Sequence, residues 1–311
     1  MSSLVALPAW AEIQRPFWDA RLTETWRAAP IVWPSGVRRS GKTRIARSIA
    51  GAHFLNCDLP SVQREMDDPE AFGATVEKRL LHGGMPQMLL APKPDPGFYA
   101  EWMDSYFARD VSELFRVERR SEFLLLLRLL LRQNGGMATV VHLAKQCGVT
   151  RPTVMSWIEA MRITHVVHLI RPFHGNGDSE LVKQPKIYAF DTGFVAHENG
   201  WSELRPDERG LLWEHVVLEH LLSRPSQPEV HYWRDKLQRE VDFIIPRGRS
   251  AVDAIACTWD LRRIDIKGMK AFRALYPKGS NFVLSPGVVE PYTRVIDGVT
   301  LTIASPSAMR G

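Results

Sequence analysis

The stretch IVWPSGVRRSGKTRIARSIA, Ile31 to Ala50, decides how the first part of this chain is read. Ile31 to Trp33 form a short apolar strand. The segment GVRRSGKT, Gly36 to Thr43, then fits the phosphate-loop pattern G-x-x-x-x-G-K-[ST] at every fixed position. Glycines at 36 and 41 let backbone N–H groups turn inward around phosphate oxygens. Within the loop Gly36, Val37, Arg38, Arg39, Ser40, Gly41, Lys42 and Thr43 are the candidate nucleotide contacts. Lys42 would reach the outer phosphates and the Thr43 hydroxyl would take one place on Mg²⁺. Ile45, Ala46 and Ile49 then share one face of a helix from Lys42 to Ala50 that offers its positive end to the same anion. The cofactors expected from this loop are ATP and Mg²⁺.

Outward from the loop, HFLNCD, His53 to Asp58, is a second short strand. Strand, loop, helix and strand open a P-loop domain. Hydrolysis also needs an acid at the end of an apolar strand to hold Mg²⁺ and orient the attacking water. Asp67 and Asp68 have no apolar strand before them, and Asp58 follows directly on the loop helix. Only 23 residues, 59–81, separate Asp58 from the HGGMP segment, whereas a whole P-loop sheet takes ~100 residues or more. The expected module, residues 1–72, is therefore cut short.

Residues 73–120 are expected as a helical linker. Trp102, Tyr106, Phe107, Val111 and Leu114 give its helix an aromatic and apolar stripe, read as core packing. Residues 121–200 suggest a winged helix. Phe123 to Arg132 is a buried helix, VVHLAKQCG a second and VTRPTVMSWIEAM a third. Thr150 can cap the third helix, Pro152 suits its first turn, and Val154, Trp157, Ile158 and Met161 recur at helical spacing. Arg151, Thr153, Ser156 and Arg162 are its candidate DNA contacts, with Glu159 less suited to phosphate. HVVHLIRPF and KIYAF would be the wing strands, joined by HGNGDSELVKQP; the wing carries Lys183, a further candidate DNA contact, and Lys186. A DNA-contacting role and a purely structural one both stay open. Residues 201–311 combine the helix LLWEHVVLEHLL with the strands EVHYWR, REVDFIIP, AVDAIACTW and NFVLSP.

The whole chain bounds these expectations. It has 311 residues, 45% hydrophobic and 24% charged, with a formal charge of +5 that permits nucleic-acid contact without requiring it. Cys57, Cys147 and Cys257 lie far apart, which suits a reducing compartment better than a disulfide scaffold or a zinc site. The first residues lack the pattern of a secretion signal, and Arg128 interrupts the greasiest run, Phe123 to Leu131. That run is far below the ~20 residues that span a bilayer. A cytoplasmic protein without a membrane partner is expected.

Taken in order, GVRRSGKT, HGGMP, EWMDSYFARDVSELF, VTRPTV, QPKIYAFDTGF, LLWEHVVLEHLL and YWRDKLQREVDF resemble the segments of prokaryotic AAA-type ATP-binding proteins. These carry an N-terminal P-loop domain and a C-terminal domain of unknown function built from a winged helix and a restriction-endonuclease-like fold. The fold class implied is multidomain α/β: truncated P-loop module, helical linker, winged helix-turn-helix and restriction-endonuclease-like α/β domain. Family members hold their metal-binding acids in a stretch that this chain lacks between FLNCD and HGGMP. The resemblance also implies a nuclease-like Mg²⁺ site with Glu214 as helix acid and Asp242 as strand acid. Where a Glu-x-Lys should follow, the chain reads Ala256-Cys257-Thr258; alternation is expected to put Ala256 and Thr258 on the face where a carboxylate and an ammonium would be needed, and Lys267 is the substitute amine. Three functions follow: an ATP-binding protein with lost or impaired hydrolysis, an ATPase completed by a partner chain or by Asp58, and a DNA-binding or scaffold protein with a vestigial loop. The partners are nucleotide, DNA, and a protein partner or a second copy.

Overall fold

The computed structural model describes residues 76–174, 184–223, 228–248 and 251–308. The phosphate loop Gly36–Thr43, Asp58 and Lys183 lie outside the described residues. Among the described residues the architecture is mixed α/β, organised on a nine-stranded mixed sheet.

The chain enters through α1 (Val76–His82), α2 (Pro86–Leu90) and α3 (Pro96–Tyr106), whose N-cap Asp95 accepts from the Gly97 N–H. A π-helical turn, Phe107–Val111, carries α3 into α4 (Ser112–Phe115). The aromatic stripe behaves as expected of core. Trp102 stacks on Tyr106 and on Phe190, and Phe107 meets Phe123 edge-on. Leu114 departs from the stripe and is 68% exposed, beyond the π turn that resets the helical phase.

Next come α5 (Arg120–Arg132), β1 (Gly136–Met137), α6 (Val140–Cys147), α7 (Arg151–Ile163), β2 (Val167–Pro172) and β3 (Lys186–Ala189). Gly148 ends α6 at φ +62°, the left-handed conformation that glycine takes without strain. Thr150 caps α7 by accepting from the Thr153 N–H at 3.3 Å. Val154, Trp157, Ile158 and Met161 are buried as their spacing requires. Residues of α1 to α8 share one hydrophobic core, in which Leu80, Tyr99, Leu127 and Val154 are all buried. Each such side chain contributes roughly 1.5–3 kcal/mol.

The second half holds α8 (Thr192–Asn199), α9 (Pro206–Leu222), β4 (His231–Arg234), β5 (Glu240–Arg247) and β6 (Ala251–Cys257). It ends with α10 (Lys267–Leu275), β7 (Asn281–Leu284), β8 (Tyr292–Ile296) and β9 (Val299–Ala304). Strand order is β1-β3-β2-β4-β5-β6-β7-β9-β8. The two expected wing strands do pair antiparallel, Val167 opposite Ala189. They do not stand free, however. β3 also pairs with β1, and β2 continues the sheet through a parallel step onto β4, Arg171 opposite His231. All four residues of β3 are buried.

One face of the second half packs Trp213, Val217 and Leu221 of α9 on Tyr232, Phe243 and Ile255. The other packs Met269 and Phe272 of α10 on Trp233, Ile244 and Val283. Among the described residues no helix is long and apolar enough to cross a membrane.

Candidate functional site: an acidic centre closed by a lysine

The two acids expected from the sequence, Glu214 and Asp242, are brought together, and Glu240 joins them. Ligand-capable oxygens of the three lie within 4.8 Å of one another. Glu214 comes from α9, and Glu240 and Asp242 from the start of β5. A register shift aims Asp242. His231 pairs with Ile244 while Trp233 pairs with Val241, so two steps on β4 face three on β5. The extra residue is the mark of a β-bulge, which turns a side chain away from strict alternation. Asp242 Oδ2 then accepts the Cys257 N–H at 2.7 Å.

Lys186, expected on a solvent-exposed wing, lies instead inside this centre, because β3 is an interior strand of the sheet. Its Nζ donates to Glu214 Oε1 at 3.0 Å and forms a close ion pair with Glu240. The side chain is only 5% exposed. Lys186 and Tyr188 alternate onto one face of β3, and the Tyr188 hydroxyl also bonds Glu214. Nζ sits 5.6 Å from the Tyr232 ring centre. Lys267 is exposed at the first turn of α10. Thus the amine that meets Glu214 is Lys186.

Burial and charge act together here. Burial alone pulls the Lys186 ammonium down; Glu214, Glu240 and Asp242 outweigh it and hold Lys186 well above its ordinary range. Burial and then the Glu214 carboxylate push Asp242 up to about 8, against the pull of Lys186. Burial, with Asp242 and Glu214 nearby, also raises the Cys257 thiol well above its usual range.

The strand after Asp242 needs a correction. Alternation along β6 sends Val252, Ala254 and Ala256 to the α10 face, and Ile255 and Cys257 to the α9 face. The β6 side chain nearest the acids is therefore Cys257, not Ala256, because the bulge in β5 breaks the simple face count. The Thr258 hydroxyl turns away to the Asp260 carbonyl. These residues do not fit a divalent metal as they stand. Oε1 of Glu214 and Oε1 of Glu240 both bond the Lys186 ammonium, Arg234 lies 3.5 Å from Glu240 Oε2, and Mg²⁺ requires near-octahedral oxygen ligation that such neighbours obstruct.

The candidate DNA contacts lie apart from this centre. Arg151 and Ser156 are exposed on α7. Thr153 is half-buried and shares a hydrogen bond with Thr150 at 2.8 Å. Arg162 is exposed but bonded to Glu159 at 2.6 and 2.8 Å. Nothing in the local sequence marks Lys186 or Glu240 alone. The usable signals were the alternation Lys186–Tyr188 on a short strand and Glu240–Asp242 in EVD.

Residues 73–205 match a family described as Domain of unknown function (DUF8612), and residues 209–301 match Domain of unknown function (DUF4143). The chain is 26% identical over 235 residues to uncharacterized protein Mb2031c of Mycobacterium bovis and, equally, to uncharacterized protein Rv2008c of Mycobacterium tuberculosis. The alignments cover 70% of this chain and 53% of each relative, so the chain spans about half their length. Among solved structures, a Thermococcus gammatolerans assembly of McrB AAA+ hexamers with bound McrC aligns at 9% identity and a TM-score of 0.25, over 58% of this chain and 46% of that one. The acidic centre joins the two matched stretches: Lys186 and Tyr188 come from the first, Glu214, Glu240 and Asp242 from the second.

Proposed function

We propose that this chain is an ATP-binding P-loop protein of AAA-type relation in which hydrolysis is lost or impaired, joined to a winged-helix part and a nuclease-like part that does not cut DNA. The observation that carries the nucleotide reading is the sequence Gly36–Thr43, which fits the phosphate-loop pattern between segments expected as an apolar strand and a helix. Its backbone N–H groups and Lys42 supply positive potential for the phosphates. The sequence between Asp58 and HGGMP offers no apolar run ending in an acid, the element that hydrolysis needs to hold Mg²⁺ and orient water.

The order helix, short strand, helix, helix and two antiparallel strands, from α5 to β3, supports the winged-helix reading. The exposed Arg151 and Ser156 on α7 keep DNA association within it. The helix acid Glu214 facing the strand acid Asp242 supports the nuclease-like reading. Without an acidic side chain on β6 beside them, the centre lacks the ligand set that strand cleavage requires.

A fluorescent ATP analogue titrated against wild type and Lys42→Ala, followed by phosphate release, tests this. The expected result is saturable binding without turnover, weakened about tenfold or more by Lys42→Ala, as for loss of one charge-assisted contact. Turnover that vanishes with Lys42 would establish an active ATPase, and absence of binding would leave a DNA-binding or scaffold protein with a vestigial loop.

A further inference from the structure

We propose that Lys186 is the resident cation of the acidic centre, standing where a divalent metal would otherwise sit, and that this one side chain keeps the centre from loading metal. The inference rests on the reading that the nuclease-like part does not cut DNA, and deepens it. Three acidic side chains whose oxygens gather within 4.8 Å form an arrangement that favours a cation among them. The chain supplies it internally: the Lys186 ammonium touches Glu214 and Glu240 from within, while the Arg234 guanidinium reaches only the other Glu240 oxygen, at 3.5 Å from the rim.

Lys186 is fixed in place. Its backbone is paired on both sides, to Met137 of β1 and to Ile170 of β2. The side chain is sealed beneath the Tyr232 ring and is 5% exposed. Buried in this way, the amine cannot meet a substrate phosphate from solution, which separates it from a lysine that assists cleavage. A divalent ion entering the cluster would face the ammonium across a few ångströms of low-dielectric interior, where like charges repel strongly. Removing the ammonium leaves Glu214, Glu240 and Asp242 converging on a cavity the size of the lost amine, a ligand set of hard oxygens suited to Mg²⁺ or Mn²⁺.

The test is a Mn²⁺ titration of the full chain without nucleotide, read by the electron paramagnetic resonance of free Mn²⁺. Wild type should show no saturable site tighter than ~1 mM. Lys186→Met should bind one Mn²⁺ per chain at least about tenfold more tightly, and adding Asp242→Asn should abolish that site. A folded Lys186→Met that gains nothing overturns the proposal. So does a wild-type site that Asp242→Asn removes, and this second measurement decides the matter even where Lys186→Met does not fold. Plasmid nicking by wild type in Mn²⁺ is run in parallel. Cleavage would sink the non-cutting reading itself, whereas Mn²⁺ binding without cleavage would sink only the role given to Lys186.

Discussion

Asp191 and Asp242, two of the aspartates drawn out of bulk water among the described residues, are stabilised differently. Asp191, 3% exposed, accepts the Gly193 N–H on Oδ1 at 2.8 Å and the Gly84 N–H on Oδ2 at 2.6 Å. It serves as the N-cap of α8 and fastens the HGGMP turn after α1 onto that helix. Asp242 receives one N–H, from Cys257, and otherwise faces Glu214, Glu240 and Lys186. Fixed backbone dipoles suffice for the first. The second shares its surroundings with other acids and depends on a cation brought from another strand. A carboxylate held by dipoles needs close backbone approach, hence glycine; one held by charge needs a distant residue to stay in place.

The glycines at the first aspartate give the largest expected effect. A Cβ on Gly193 would lie 2.3 Å from the His82 carbonyl oxygen and 2.9 Å from the Gly83 nitrogen, both backbone atoms. Gly193→Ala must therefore force α1 and α8 apart and break the Asp191 clasp. It should destabilise by more than ~3 kcal/mol in urea denaturation, or prevent folding. Gly210→Ala is the control, since that Cβ would meet nothing within 4 Å. On α9 it should stabilise by about 0.5–1 kcal/mol, the usual helix preference for alanine. A mild Gly193→Ala would mean that backbone approach is not what secures Asp191.

Asp191→Asn comes next. The amide keeps one oxygen and turns an NH₂ toward the other backbone donor, leaving a buried N–H without its acceptor. The expected loss is roughly 1–3 kcal/mol, with faster hydrogen exchange at the Gly84 amide as the local signature. Unchanged stability and exchange would show that the HGGMP turn is held by α1 itself. Arg79 is the rival anchor, since it bonds Glu219 on α9 and donates to the Thr192 hydroxyl at 2.9 Å.

The same contrast explains what could be read from the sequence. Helix α7 was legible because its signals are contiguous: a Thr150 cap, Pro152 in the first turn, and apolar residues at helical spacing. The β8–β9 hairpin had a comparable local mark in Asp297-Gly298, both at positive φ, although the pair was not used. The HGGMP and DTGF segments were noticed, but the bond between Asp191 and Gly84 spans 107 residues. Glu214 and Asp242 were named through a family pattern. Lys186 belongs to a segment expected as a wing strand, and only the pairing of β3 with β1 on one side and β2 on the other shows that the strand is interior. A bulge in β5 likewise cannot be counted from alternation, which is why Ala256 was assigned to the wrong face. Local capping and periodicity are written in neighbouring residues; charge compensation across a sheet is written in its register.

Asp242→Asn probes the charged side of the comparison, with the smallest effect. The folded protein raises Asp242 to about 8, through burial and the nearby Glu214, against an unfolded value near 4. Between those values the folded state holds a proton that the unfolded state has released, so stability falls as pH rises. One group contributes at most about 1.4 kcal/mol per pH unit. The groups facing Asp242 are Glu214, Glu240, Lys186, Tyr188 and Cys257, so the titration belongs to the cluster rather than to one carboxyl. Asparagine can still accept the Cys257 N–H but cannot ionise. Denaturation at pH 6 and pH 7 should show wild type losing up to ~1.4 kcal/mol more than Asp242→Asn over that unit. Parallel curves would mean that Lys186 already neutralises Asp242 in full, and that charge compensation secures this centre as firmly as backbone donors secure Asp191.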